Sequence, residues 1–574
     1  MKRQKLIFRI RLLSLVIALG ALLLIGRLYQ VQVVNASMYQ ARAESQYVHT
    51  KTNLYTRGSI FFTAKDGTTL SAAAIAAGYL LAANPVHMTV PAEEFCGMFS
   101  EVIAIDVTMC VERVTTAGRT YVELSNQLTS EQAKTIEAMN IDGVLLYKNQ
   151  WRNYPGDSIA ARSIGFVGYT DTGTEIRGKY GLERQYDNVL YRKQQVQTVN
   201  FFAELFSNLG EMIYRKEEDG RSGDIVTTLE PSVSRMLDMV LEKTNDQYKS
   251  KLTGAVIMDP HTGEIIAMNA VPSYNLNDRS GATIEYFRNP LVEDVYEFGS
   301  TIKALTVAAG LDAGAITSAS TYYDAGQIEL DGSTIKNYDG RGRGTVSMQE
   351  VLNQSLNTGV SHIVQTMGKD AFREYFLNYK LGSETGIDLP NEVHGLVNNL
   401  QSPRQVEYAT ASFGQGIAMT PIETTRAFAV LANGGVLVTP HLVKRIEYHD
   451  GEKKDIRYPE GERIISEESS EEISRMLVTV VDKALKGGTV ALPHYTIGAK
   501  TGTAQIPDPI HGGYYGDRYL HSFFGYFPAF DPKFIIFMYT VEPQGVKYAS
   551  ETLTDPFMEI TKFLINYYSI QPDR

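Results

Sequence analysis

Glu297-Phe298-Gly299-Ser300-Thr301-Ile302-Lys303 is the stretch on which the reading of this 574-residue chain turns. Residues three apart share a helix face, so a helix opened by Gly299-Ser300 sets Lys303 one turn behind Ser300, within reach of its hydroxyl. Ile302, Leu305, Ala309 and Leu311 continue a roughly helical rhythm, and no proline interrupts it before Ala313-Gly314. Ser300 then stands at the positive end of a buried helix, which favours a developing alkoxide and supplies a backbone N–H to an oxyanion hole. Two more strings follow in order, Ser355-Leu356-Asn357 and Lys500-Thr501-Gly502-Thr503. Each is common by itself: a serine with a lysine three later sits mostly on solvated helix faces, Ser-x-Asn mostly in caps, Lys-Thr-Gly mostly in loops. The ordered set is uncommon, and it holds the parts of a serine acyl-transfer site.

A serine hydroxyl is a weak nucleophile at neutral pH and needs a base, a proton path and donors for the oxyanion. Lys303 serves as base only when neutral, and bringing a lysine from about 10.4 to near 7 takes roughly 4 to 5 kcal/mol of differential environment. Burial and a second cation supply it, and Lys500 is that second cation. Ser355 bridges the two lysines as a proton shuttle, with the Asn357 amide orienting Lys303 and the substrate backbone. Thr501 and Thr503 offer hydroxyls, and Gly502 permits close backbone approach, which suits an edge strand that pairs with a peptide and binds its carboxylate.

The three strings resemble the Ser-x-x-Lys, Ser-x-Asn and Lys-Thr-Gly motifs of the serine penicillin-recognising enzymes. Further stretches resemble one branch, the class B penicillin-binding proteins: Arg57-Gly58-Ser59-Ile60, Arg152-Asn153-Tyr154-Pro155, Gly181-Leu182-Glu183, Gly254 to Pro260, Asp388-Leu389-Pro390, Phe413-Gly414-Gln415-Gly416 and Thr420-Pro421. The resemblance implies an α+β penicillin-binding transpeptidase fold behind an elongated N-terminal pedestal. It implies a peptidoglycan D,D-transpeptidase that cross-links stem peptides through an acyl-enzyme on Ser300 and is acylated by beta-lactams. Lys303 is then the base, Ser355 and Asn357 the relay and orienting loop, and Lys500, Thr501, Gly502 and Thr503 the strand that binds the donor peptide. A multi-spanning glycosyltransferase of the shape, elongation, division and sporulation (SEDS) type is the implied partner for strand polymerisation. Two departures stand out: Phe298 replaces the usual proline before Gly-Ser, and Phe61-Phe62-Thr63-Ala64 stands where an Asp-Arg pair is usual.

Beyond these motifs, the length exceeds one ordinary domain, and 44% apolar residues suffice for two cores. A net charge of −11, with no basic stripe, argues against a nucleic-acid partner. Basic residues from Lys2 to Arg11 precede an uncharged run from Leu12 to Gly26. That run spans about 22 Å as a helix, and Leu28 to Val34 extend it toward the roughly 30 Å a membrane span needs. Expected are a cytoplasmic tail (1–11), a transmembrane anchor (12–34), a pedestal (35–225) and a transpeptidase domain (226–574) outside the bacterial cell membrane. A cleaved signal peptide is the alternative to the anchor. Cys96 and Cys110 permit a disulfide or two buried thiols equally. No His-Glu-x-x-His or other ligand-like cluster implies a metal, and no cofactor motif is present.

Within the pedestal, Thr129 to Met139 reads as a helix. Beyond it, Val233, Met236, Leu237, Val240 and Leu241 form one apolar helix face. Gly254 to Met258 and Glu264 to Met268 flank a turn at Asp259 to Gly263, Phe523 to Phe527 and Phe534 to Tyr539 flank another, and Phe557 to Tyr568 reads as a terminal helix. Early and late strands with helices between them predict one antiparallel sheet closed by both ends of the domain. Competing functions are hydrolysis of the same acyl-enzyme, as in a beta-lactamase or D,D-carboxypeptidase, and a non-enzymatic beta-lactam sensor or scaffold. A long pedestal with an anchor disfavours the hydrolases, a single span disfavours a sensor, and the full set of side chains disfavours a scaffold.

Overall fold

The computed structural model describes residues 19–22, 24–27, 30, 56–171, 175–192 and 221–574. Its principal elements are β1 (Ile60–Thr63), β2 (Thr69–Ala83), α1 (Ala92–Gly97), α2 (Val107–Thr115), β3 (Val122–Leu128), α3 (Ser130–Ala138), β4 (Val144–Asn153), β5 (Gly223–Thr227), α4 (Pro231–Tyr248), β6 (Leu252–Met258), β7 (Ile265–Val271), α5 (Lys303–Asp312), β8 (Gln327–Leu330), β9 (Ser333–Lys336), α6 (Asn357–Met367), α7 (Pro421–Ala432), β10 (Val443–Tyr448), β11 (Gly498–Pro507), β12 (Tyr514–Phe527), β13 (Phe534–Val541) and α8 (Thr554–Tyr568). They divide into two compact units. One holds residues 77–151 and the other residues 56–76, 152–192 and 221–574 of the described chain. Parts of the segment read as pedestal, 56–76 and 152–192, thus fold with the catalytic region. Among the described residues no helix is long and apolar enough to cross a membrane. The expected anchor at 12–34 falls largely outside the described residues.

In the smaller unit, the second half of β2 pairs antiparallel with β3 and also with β4. Asp106 caps α2 by accepting from the Met109 N–H at 3.0 Å. Thr129 and Gln132 form a reciprocal capping box at the start of α3, within the stretch read as helical. Leu81, Phe95, Phe99, Val114, Leu128 and Ile136 form its core. Cys96 and Cys110 are joined in a disulfide, with Cα atoms 6.0 Å apart, which ties α1 to α2.

The larger unit is built on a five-stranded antiparallel sheet in the order β11-β12-β13-β6-β7. Its two halves come from opposite ends of the domain, as the alternation of strands and helices predicts. Asp259 turns the β6–β7 hairpin by accepting from the N–H groups of His261 (2.8 Å) and Thr262 (3.2 Å). Every residue of β13 is buried because both faces of the sheet are covered. Ile536 and Met538 face a core shared with Leu237, Leu241, Phe557 and Leu564 of α4 and α8. Ile535, Phe537 and Tyr539 face the opposite core, where Phe428 of α7 stacks on Phe524 with ring centroids 3.9 Å apart. β11 is left as an edge strand, its outer side open to a ligand.

A second sheet in the same unit pairs β1 parallel with β5 and antiparallel with the first half of β2, while β10 adds antiparallel to β5. Beside it, three strings quoted above converge on one buried carboxylate. Arg57 Nε lies 2.6 Å from Glu183 Oε2 and Arg152 Nε 2.6 Å from Glu183 Oε1, and Arg57 also reaches Asp187 at 2.6 Å. Two guanidiniums over one carboxylate keep buried charges paired.

Candidate active site

Phe298, the residue in the usual proline position, sets the nucleophile turn on the sheet. It is fully buried, and its ring meets Phe537 edge to face at 4.8 Å. Its carbonyl accepts the Ser522 hydroxyl at 2.6 Å and the Thr301 hydroxyl at 3.2 Å. Gly299 follows at φ +62°, a left-handed conformation that favours glycine, and a Cβ there would sit 2.9 Å from the Thr503 carbonyl oxygen. Gly299 to Thr301 form one 3₁₀ turn, and α5 begins at Lys303, so Ser300 lies in the turn that enters the helix. That helix is apolar on nearly every side and is buried accordingly.

Gly502 on the edge strand explains how the turn and the strand approach each other. A Cβ at this position would stand 2.4 Å from both the Phe298 carbonyl oxygen and Ser522 Oγ. Only glycine lets β11 pass this close beneath the nucleophile turn. Register with β12 pairs Lys500 with Phe524, Thr501 with Phe523 and Thr503 with His521.

The two lysines meet at Ser355. Lys303 Nζ donates to the Ser355 carbonyl at 2.6 Å and lies 3.1 Å from Ser355 Oγ. Lys500 Nζ is also 3.1 Å from Ser355 Oγ and donates to the Thr501 carbonyl at 2.9 Å. Ser355 itself is held at φ +53°, an uncommon conformation for a residue with a side chain. Lys303 is fully buried and Lys500 is 3% exposed, and neither has a carboxylate partner among the described residues. Burial, and next the neighbouring Lys500 charge, push the Lys303 amine well below the ordinary lysine range. Burial brings Lys500 down to about 7. The bridging arrangement read from the sequence is therefore present.

The Lys303 nitrogen is engaged by Ser355 rather than by Ser300, and catalytic bonds of this kind are often loose before substrate binds. One expectation needs correction. The Asn357 amide makes no hydrogen bond to Lys303: it donates to the Lys336 carbonyl at 2.8 Å. Ser300, Ser355, Asn357, Lys500, Thr501 and Thr503 line one cleft of about 710 Å³. Lys303, fully buried, and Gly502 are not among the residues that line it.

Sequence reasoning missed three contributors. The tail segment after β13 returns to the cleft, where the Ala549 N–H donates to Thr503 Oγ1 at 3.0 Å. The β8–β9 hairpin brings Lys336 and Tyr338 to the opposite wall. Glu297, next to the nucleophile turn, accepts from the Tyr514 hydroxyl at 2.9 Å and the Gly416 N–H at 3.1 Å, and burial pushes its carboxyl up to about 7. Of these, only the Phe413-Gly414-Gln415-Gly416 string, which supplies the Gly416 N–H, gave a signal.

Residues 253–561 match the penicillin binding protein transpeptidase domain, and residues 32–228 match the penicillin-binding protein dimerisation domain. The chain is 30% identical over 490 residues to stage V sporulation protein D of Bacillus subtilis, covering 83% of this chain and 72% of that one. It is 25% identical over 555 residues to a probable peptidoglycan D,D-transpeptidase, PenA, of Neisseria meningitidis, covering 96% and 91%. Penicillin binding protein 2X of Streptococcus thermophilus shares the fold, with a TM-score of 0.69 at 22% identity over 90% of this chain and 81% of that one. Together with the ordered strings around Ser300, these matches place the chain in the class B penicillin-binding proteins.

Proposed function

We propose that the protein is a peptidoglycan D,D-transpeptidase that works through an acyl-enzyme on Ser300. The observation that carries the reading is the Ser355 hydroxyl held 3.1 Å from two buried amines, neither with a carboxylate partner among the described residues. Such a pair stores one proton less than two free lysines hold at neutral pH, so Lys303 is available as a base. As Ser300 Oγ attacks the carbonyl of the penultimate D-alanine, its proton passes to Lys303, directly or through Ser355. The oxyanion is held by the N–H groups of Ser300 and Thr503, with the positive end of α5 behind it. Collapse breaks the C–N bond, and the same proton goes to the leaving D-alanine nitrogen. An amine from a neighbouring strand then attacks the ester, gives a proton to Lys303 and releases Ser300, which is reprotonated.

The peptide lies along β11 as an added strand, its terminal carboxylate at Thr501 and Thr503. Beta-lactams acylate the same serine. The anchor at 12–34 holds the enzyme in the bacterial membrane with residues 1–11 in the cytoplasm and the domains 35–225 and 226–574 outside. The Cys96–Cys110 disulfide supports an oxidising, extracytoplasmic setting. The SEDS-type glycosyltransferase remains the partner that would supply the strands.

The test is incubation with a stem pentapeptide ending in D-Ala-D-Ala and an amine acceptor, with products resolved by mass spectrometry. Cross-linked peptide with release of D-alanine is expected. Rapid turnover of a beta-lactam to hydrolysed drug, without cross-linked peptide, would replace this reading by a hydrolase.

A further inference from the structure

The cleft carries a charge pattern that the acyl chemistry leaves unused. The chain has 65 acidic against 54 basic residues. Yet no acidic residue lines the cleft, and four of its lining residues are lysines: Lys336, Lys486, Lys500 and Lys547. A groove lined by one sign of charge in a protein of the opposite sign focuses potential and draws anions. Lys500 belongs to the buried amine pair, and Lys486 is neutralised by Asp555 at 2.6 Å. Lys336 and Lys547 are exposed, and neither forms an ion pair among the described residues.

Both are fixed to the catalytic strings through backbone. The Lys336 carbonyl takes the Asn357 amide at 2.8 Å. The Lys547 carbonyl lies 2.9 Å from the ring of His521, which is the cross-strand partner of Thr503. Two residues later, the Ala549 N–H holds the Thr503 hydroxyl. One lysine therefore rides on the Ser-x-Asn wall and the other on the Lys-Thr-Gly wall. The walls come together at Tyr338 and Tyr548, whose rings meet edge to face with centroids 6.1 Å apart. Lys547 Nζ lies 5.6 Å from the Tyr548 ring, and Tyr338 follows Lys336 by two residues. Lys336 and Lys547 thus line the cleft on the two sides of the Tyr338–Tyr548 contact.

We propose that Lys336 and Lys547 form a second anion subsite, which takes a carboxylate of the peptide being cross-linked other than that of its terminal D-alanine. The enzyme then selects peptides with a free acidic side chain over their amidated forms. The proposal rests on the transpeptidase reading and adds a substrate class to it.

The experiment measures cross-linking kcat/KM for the full-length protein with free and amidated peptides, varying the donor peptide in one arm and the acceptor in the other. A charge-assisted hydrogen bond sets the expected preference for the free acid at about tenfold in one arm, which identifies the source of the carboxylate. The preference should shrink as salt is raised. In Lys336→Gln/Lys547→Gln the ratio of free to amidated kcat/KM should fall to about one, and Lys547→Arg should retain it. A parent that treats free and amidated forms alike in both arms overturns the proposal, as does a ratio that survives in the double variant. Labelling of the parent by a fluorescent penicillin, run alongside, separates the failures: a parent that labels but does not discriminate sinks the subsite alone, and one that does not label sinks the acyl-enzyme reading beneath it.

Discussion

Replacing Ser355 separates the proton path from the stability of the fold. Its hydroxyl contributes one contact of 3.1 Å to each amine, while Lys303 keeps the Ser355 carbonyl at 2.6 Å and Lys500 keeps the Thr501 carbonyl at 2.9 Å. Neither nitrogen is stranded, so Ser355→Ala loses two hydrogen bonds, about 1 to 3 kcal/mol in all. The backbone at φ +53° burdens any residue with a Cβ by about 1 to 2 kcal/mol. Ser355→Gly relieves that strain but adds roughly 0.5 to 1 kcal/mol of unfolded-state entropy. It should therefore be more stable than Ser355→Ala by up to about 1.5 kcal/mol. Both variants lack the bridging hydroxyl, and both should acylate at least about 10²-fold more slowly. Stopped-flow acylation by a fluorescent penicillin reads the rate, and urea unfolding reads the stability. Acylation within fivefold of the parent in either variant would refute the bridge, and so would rates that follow stability from alanine to glycine.

Two further outcomes follow from the same structure. In Lys500→Gln the like charge that helps to lower the Lys303 amine is gone, so the Lys303 pKa rises and the acid limb of the acylation pH profile should move to higher pH; an unmoved limb would remove Lys500 from the coupling. Glu183→Gln leaves Arg152 without its carboxylate at 2.6 Å in a buried site, and urea unfolding should show a loss of about 3 to 5 kcal/mol, against less than 1 kcal/mol if the cluster is solvated on opening.

The parts of the site that were legible in the sequence are those whose chemistry and spacing are local. A serine with a lysine one turn on, an edge strand marked by Lys-Thr-Gly-Thr and hairpins punctuated by Asp259 to Gly263 can each be read within a few residues. The helix faces at Val233 to Leu241 and Phe557 to Tyr568 were equally plain, because their apolar spacing matches the helical period and both cover the same sheet. What depended on distant pairing was not legible. The parallel pairing of β1 with β5, and the meeting of Arg57, Arg152 and Glu183, join stretches far apart in the chain and draw 56–76 and 152–192 into the catalytic unit. The Asn357 amide finds not Lys303 but the Lys336 carbonyl, on a hairpin that no periodicity announces. The state of Cys96 and Cys110 was undecidable from spacing alone, since pairing turns on the 6.0 Å between their Cα atoms.

The central claim is that Ser300 becomes the acylated nucleophile of the buried amine pair. Peptide mapping by mass spectrometry after exposure to a penicillin tests it most directly. The account predicts one covalent adduct, on the peptide containing Ser300, absent in Ser300→Ala and formed at least about 10²-fold more slowly in Lys303→Ala. An adduct on another residue, or labelling of Ser300→Ala at the parent's rate, would contradict it.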